Sequence, residues 1–556
     1  MKYWLALYIT LLCSSLLAND SSPEPETFYS NAPIFQGLLL IGNENDLAPE
    51  GYDSFKGVMA YHIKLPGNIK ALKKMLKPLL KTPLSKQLLL EIKKTVIEFY
   101  QNHYRPIVSV AIPEQNISHG VVQMIVKEAT VGKLTVSGNT WSSKESIFKQ
   151  VALEPGEVVS SKVLSRDLYC MNKNPFRRVD AVFSAGEKKD TTDIDLKVTE
   201  RLPLRVYGGI DNIGNDVTGN NRFYTGVNWG NIFNTNQSLS FQLISSSEFN
   251  RFHAYTLFYE APLPWRHILS IYGGYSRVDA QFPIPNIKDT QFRTHGFSLQ
   301  TSLRYTIPLQ PMQAFLHDIS WGFDFKRTNN NLDFGGRPVI SQDNVNLTQL
   351  TLGYHLGYTI QALKVTFDVD GFWSPGQWIA DQTNKDYASL RPFAKVQYVY
   401  TRGTLALVYS IFKEWNLRTY FRGQWASVNL LPSEEYGVGG LDTVRGYKER
   451  IVNGDNVFIW NLEMHTPSLS LLNPLSGWNK FNDAFSALVF FDYGLSGVNR
   501  TVPGQEKTTF LMSIGPGVRY TVNPYVNLRA DWGFQLRNLH LGGPYQRLSF
   551  SLVVGY

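Results

Sequence analysis

Cysteine is almost absent: the 556 residues hold two, Cys13 and Cys170. Cys13 lies in an apolar leader, so the rest of the chain has no second thiol to bridge and a disulfide framework is excluded. Cys170 falls in an apolar-patterned stretch and is expected to serve as a small core residue. Long apolar runs are missing as well. After the leader nothing approaches the roughly 20 residues that a membrane-spanning helix needs. Charged residues make up only 18% of the chain and leave a formal net charge of +8. No basic stripe interleaved with aromatics is present, which excludes nucleic acid as the expected partner. The ten histidines show no metal-ligand spacing, and HExxH, Walker A and GxSxG patterns are all lacking. The expectation is a non-enzyme with no catalytic residue, no metal and no cofactor.

Aromatic residues and glycine are abundant, at 13% and 43 residues, a balance that suits sheet better than helix. Residues 1–18 read as an export signal: Lys2 is the positive start, Tyr3 to Leu12 the apolar core and Ala18 the small residue before Asn19. Residues 19–54 read as a linker or arm, rich in Ser, Pro, Glu and Asn around one apolar island, Gly37 to Ile41. That island is expected to be an added strand or a plugging element. Two α+β units follow, at 55–128 and 129–200. In the first, Leu72, Met75, Leu76 and Leu79 recur at helical spacing, as do Leu88, Leu89, Ile92, Val96 and Phe99 after a Ser85 cap. The lysines opposite the first of these helices read as a solvated face, with a docking surface as the alternative.

From 201 to 556 the period changes to two. In the segment near Tyr525 to Leu536, residues Val526, Leu528, Ala530, Trp532, Phe534 and Leu536 share one face, and Asn527, Arg529, Asp531 and Gln535 the other. A soluble sandwich rarely buries arginine and aspartate on its inner face. A lipid-embedded barrel directs that face to an aqueous lumen and the apolar face to acyl chains. About 355 residues at about 22 per strand and connection predict on the order of 16 antiparallel strands. Side chains alone do not fill a lumen of that width, so something must occupy or gate it.

The motifs come in order: Val110-Ala-Ile-Pro113, Asn174-Pro175-Phe176-Arg177, Thr191-Thr-Asp193-Ile-Asp195, Tyr207 to Asn212, Gly226 to Asn231, Val444-Arg445-Gly446-Tyr447 and Phe491-Asp492-Tyr493-Gly494. Together they resemble the TpsB transporters of two-partner secretion, the hemolysin and filamentous-hemagglutinin export class, over essentially the whole mature length. The resemblance implies two periplasmic POTRA domains before a 16-stranded barrel in the outer membrane of a diderm bacterium. It implies a monomeric pore that takes an unfolded secreted partner from the periplasm to the cell surface without ATP. A barrel insertase of the same superfamily and a gated passive porin are the alternatives. The glycines at 437, 439, 440 and 446 let a long connection fold back tightly. Arg445 presents a permanently charged planar fork that suits a carboxylate. The resemblance implies that Asp492 faces the lumen and receives it, so that Val444 to Tyr447 form a gate and Phe491 to Gly494 its partner. Asn174 to Arg177 are candidates for contact with the secreted partner, or else form a fold-anchoring turn. Leu548, Phe550, Leu552, Val554 and Tyr556 resemble the C-terminal signal read by barrel-assembly machinery, although the family more often ends in phenylalanine. The 19–54 arm shows no amphipathic helix like the plug of some family members.

Overall fold

The computed structural model describes residues 32–53, 55–215, 218–283, 291–311, 315–329, 344–476, 482–539 and 544–556. The export signal and the start of the arm lie outside the described residues. The chain divides into two compact units, the first formed by most residues up to Thr199 and the second mainly by Glu200–Tyr556.

The first unit carries two α+β layers. Strands β1 (Gly37–Ile41) and β2 (Gly57–Tyr61), helices α1 (Ile69–Leu76) and α2 (Lys86–Asn102), and strands β3 (Val108–Ala111) and β4 (Val121–Glu128) form the first layer pair. The sheet order is β2-β1-β4-β3, with β1 parallel to both neighbours. Leu38 and Leu40 pack with Leu72, Leu76, Ile92, Val96 and Phe99, while Leu39 and Ile41 pack with Ile125 on the opposite face. The island read from sequence as part of an arm is therefore an inner strand of the first sheet. It is neither a plug nor a linker. A parallel strand buried on both faces is apolar throughout and shows no alternation. Ser85 caps α2 by accepting the Leu88 amide at 3.1 Å, which fixes where the helix begins.

The second layer pair is β5 (Thr130–Ser137), α3 (Lys144–Phe148), α4 (Ser161–Met171), β6 (Arg177–Ala185) and β7 (Thr191–Glu200), with sheet order β5-β7-β6. Ile147, Leu164, Met171, Val179, Ile194 and Leu196 are its core. Cys170 on α4 is partly exposed rather than fully enclosed.

The second unit is a closed barrel of sixteen strands, from Leu204–Asp211 to Gln546–Gly555, antiparallel throughout. The outer face carries exposed Leu352, Trp425, Val489, Trp532 and Leu548. Buried Asp324, Asp492, Ser513, Asp531 and Ser549 turn inward. A wall apolar outside and polar inside is the arrangement a bilayer demands, because closure leaves no unpaired strand edge in the hydrocarbon. The C-terminal signal residues sit on the last strand, where Leu548, Phe550, Leu552 and Val554 face Trp532, Ala530, Leu528 and Val526 of the preceding strand. The last strand meets the first through Ser551 to Gly555. Tyr556 extends the seam by exchanging backbone hydrogen bonds of 2.9 and 3.1 Å with Val206.

Candidate functional site

The connection between strands Asn416–Ala426 and Asn456–His465 is long and folds back on itself. Its arms pair as the short ribbon Tyr436–Val438 with Val452–Gly454. Beyond the ribbon the backbone takes positive φ at Gly439 (106°), Gly440 (107°) and Gly446 (86°), conformations that residues with a Cβ seldom adopt. The tip is thereby compact enough to enter the barrel. Val438 and Val444 of the loop pack there with Val457, Ile459 and Leu511 of the wall.

Arg445 ends on the inner wall, 2% exposed. Its backbone amide donates to Asp492 Oδ2 at 3.0 Å, Nε donates to the same oxygen at 2.7 Å, and Nη2 donates to Oδ1 at 2.7 Å. Nη1 donates to Glu463 Oε1 at 2.6 Å and lies 3.8 Å from Asp531 Oδ1. The guanidinium also lies over the Phe490 ring, 3.6 Å from its centroid, a stacking that a planar cation permits and an ammonium does not reproduce. The carboxylates have further support. Asn461 donates to both Asp492 and the Thr443 carbonyl, and Arg519 and Arg529 both donate to Asp531. Glu463, Asp531, Phe490, Asn461 and Arg519 were not picked out as a site from sequence. They come from four strands, Asn461 and Glu463 sharing one, and only the alternation placing Asp531 with Arg529 on an inner face points toward them.

Two glycines of the wall make room for the tip. A Cβ on Gly533 would stand 2.4 Å from the Gly446 nitrogen, and one on Gly494 would stand 2.6 Å from Val438 and 2.7 Å from Val444. Gln535 Nε2 donates to the Gly446 carbonyl at 2.8 Å. The Tyr447 hydroxyl lies 2.5 Å from the Arg537 carbonyl oxygen. In the Phe491 to Gly494 motif only Asp492 and Gly494 meet the loop. Phe491 and Tyr493 occupy the alternate, outward positions, against Trp460 and Phe510 respectively, because side chains switch faces at every residue of a strand.

The base of the loop has its own buried pairs. Glu434 receives Lys326 Nζ at 2.7 Å and the Tyr400 hydroxyl at 2.7 Å, and its backbone carbonyl receives Arg402 at 2.8 Å. Burial alone would raise the Glu434 carboxyl; the charges of Lys326 and Arg402, with the hydrogen bonds from Lys326 and Tyr400, outweigh it and hold the group down to about 2. Arg391, from the loop that carries helix Asn384–Leu390, donates to Asp455 at 2.6 Å and pairs with Glu435 at 2.9 Å. The loop is thus fixed at its tip and at its base.

Asn174 to Arg177 make a turn. Asn174 Oδ1 accepts the Phe176 amide at 2.9 Å, its Nδ2 donates to the Gly230 carbonyl at 2.7 Å, and Phe176 is buried against Gly230. Arg177 is buried and donates to the Met171 carbonyl. Of the four, only Pro175 is exposed, an arrangement in keeping with the fold-anchoring turn of the two readings. In the first unit the edge strands β3 and β6 border an apolar groove of about 360 Å³ lined by Ile107, Val108, Ala129 and Phe183, with Lys127 and Asp190 paired at 3.4 Å beside them.

A closed sixteen-stranded barrel, two preceding α+β domains and an arginine-tipped loop folded into the lumen define an outer-membrane transporter whose POTRA domains lie in the periplasm. The family model of the haemolysin secretion/activation protein ShlB/FhaC/HecB matches residues 190–520, and the chain belongs to that family of TpsB transporters. The heme/hemopexin transporter protein HuxB of Haemophilus influenzae (strain 86-028NP) is 20% identical over 441 residues, 77% of this chain and 73% of its own. The outer membrane transporter CdiB of Dickeya dadantii (strain 3937) is 23% identical over 368 residues, 64% of this chain and 62% of its own. The solved structure of CdiB from Escherichia coli superposes with a TM-score of 0.76 at 15% identity, covering 96% of this chain and 93% of that one. HuxB and CdiB are both transporters by description.

Proposed function

We propose that the protein exports a secreted partner through its barrel, with the 427–455 loop as the gate and Arg445 as its latch. The observation that carries this reading is the ion pair of Arg445 with Asp492, buried in the lumen and reinforced by Glu463. Two charges so deeply enclosed are strongly linked, since removing either strips the other of its main partner while it stays desolvated. The tip would leave the wall only as a unit, which gives the pore a closed state and a distinct open one.

The partner reaches the periplasmic domains unfolded and pairs by main-chain hydrogen bonds with free sheet edges such as β3 and β6, a mode that needs little sequence information. It then displaces the loop tip and emerges at the cell surface. Folding outside supplies the direction. The last strand, apolar on alternate residues to Tyr556, is the signal for the assembly machinery that inserts the barrel. The protein works as a monomer and engages outer-membrane lipid through its exposed apolar face.

Single-channel conductance in planar bilayers tests this. Arg445→Ala and Asp492→Ala should both open far more often than wild type, and to the same conductance level. Identical records from all three proteins would remove the loop from its role as gate.

A further inference from the structure

Between Asp53 and Glu91 the sequence contains eight lysines, Lys56, Lys64, Lys70, Lys73, Lys74, Lys77, Lys81 and Lys86, and no arginine, aspartate or glutamate. The chain's 54 basic and 46 acidic residues give its net charge of +8. These eight lysines account for all of it, leaving 46 basic residues against 46 acidic ones elsewhere. The whole electrostatic excess of the protein therefore resides in one segment of the first periplasmic domain.

The structure gathers half of this charge on one surface. Lys70, Lys73, Lys74 and Lys77 fall three and four residues apart along α1 and the turn that follows it, and all four are exposed. Leu72 and Leu76 on the opposite side are fully buried in the core. Such spacing sets like charges against each other, which weakens a helix. Lys70 also stands in the first helical turn, where the helix dipole disfavours a cation. No ion pair to a carboxylate relieves these lysines among the described residues, whereas on α2 Lys94 lies 3.9 Å from Glu98. Flanking α1 in sequence, Lys56 and Lys64 bracket β2, a free edge of the first sheet whose Met59 and Tyr61 are exposed.

We infer that this lysine face receives an acidic, unfolded segment of the transported polypeptide. The inference rests on the reading of the protein as an exporter that takes up unfolded chain in the periplasm, and it adds the charge class of the segment taken up first. Opposite charge on the incoming chain removes the repulsion along α1. A field of one sign also raises the rate of encounter without demanding a fixed sequence. A free strand edge beside that field gives the captured segment main-chain partners.

The test uses the full-length protein in phosphatidylcholine nanodiscs and a fluorescein-labelled peptide of alternating Glu and Ser, read by anisotropy. A Lys/Ser peptide is the charge control. The acidic peptide should bind and the basic one should not. Binding should weaken about tenfold or more in Lys70→Gln/Lys73→Gln/Lys74→Gln/Lys77→Gln, and should vanish in about 0.5 M salt. Glutamine keeps the helix propensity of lysine, and the two-site variant Lys73→Gln/Lys77→Gln, with a smaller loss, covers the case in which the fourfold variant misfolds. Equal binding to wild type and variants would overturn the inference. So would capture of phosphatidylglycerol vesicles in place of the peptide, which would make the face a membrane-surface contact. The conductance of the fourfold variant is recorded alongside. Failure of the wild-type protein to bind the acidic peptide, with its gating normal, rejects the acidic-segment inference alone and leaves the export reading intact.

Discussion

Replacing Asp492 by alanine removes three of the four hydrogen bonds that Arg445 makes with carboxylates and leaves a guanidinium that is 2% exposed facing Glu463. Breaking a buried pair from one side costs about 3–5 kcal/mol, because the remaining charge keeps its desolvation penalty. In the proposed gate that cost falls on the closed state alone, since opening would solvate Arg445. At the lower bound of about 3 kcal/mol the open-to-closed ratio rises on the order of a hundredfold. Arg445→Ala should do nearly the same. It leaves Asp492 without a cation, held only by Asn461 and the residue-445 amide, while Asp531 keeps Arg519 and Arg529 and Glu463 keeps His465 at 2.8 Å. The double variant should then exceed the larger single shift by no more than about 1 kcal/mol, a strong non-additivity. Open probability from long single-channel records of the four proteins gives the cycle directly. Additive shifts, with the double variant equal to the two singles combined, would refute the claim that this pair is what holds the loop.

Other outcomes follow from the same contacts. Arg445→Lys should recover less than about a tenth of the closed-state advantage, because an ammonium neither spans both Asp492 oxygens nor lies flat on Phe490; open probability reads this out. Gly533→Ala keeps every charge but inserts a methyl 2.4 Å from the Gly446 nitrogen, so the pore should open more often while the barrel melts at an unchanged temperature by circular dichroism. Lys326→Met leaves the Glu434 carboxylate buried without its ammonium partner and should loosen the loop base, seen as faster cleavage between residues 427 and 455 by an added protease; an unchanged cleavage rate would remove Lys326 from that role. Leu40→Ala deletes a fully buried side chain of β1 and should destabilise the first periplasmic domain by about 2–5 kcal/mol, with the barrel transition unaffected in thermal unfolding.

The parts legible in the sequence are those whose signal is local. The helices around Leu72 and Ile92 announced themselves by spacing and by the Ser85 cap, and the barrel by alternation such as Arg529 and Asp531 against Ala530 and Trp532. Asp492 was reached through its motif, not its pattern. For Gly37–Ile41 the sequence leaves an added strand and a plug both open, because burial on both faces erases the periodicity that identifies a strand; the structure shows the strand. Phe491 and Tyr493 were grouped with Asp492 as a contiguous motif, although a strand sends neighbours to opposite sides. Glu463, Phe490 and Asp531 meet Arg445 through the register of neighbouring strands and the fold-back of the loop, which no window of sequence contains. Asn174 and Phe176 were weighed as a contact surface because a turn and a binding loop share the same residue types.

The central claim is that the loop tip must leave the inner wall for the pore to conduct. A Cβ on Gly494 would lie 2.7 Å from the Val444 side chain, near enough for Val444→Cys/Gly494→Cys to form a disulfide. Single-channel conductance of this variant, recorded oxidised and then after a reductant, tests the claim most directly. The account predicts a silent pore when oxidised and openings that return on reduction. Equal openings in both states, with the bridge verified by mass, would contradict it.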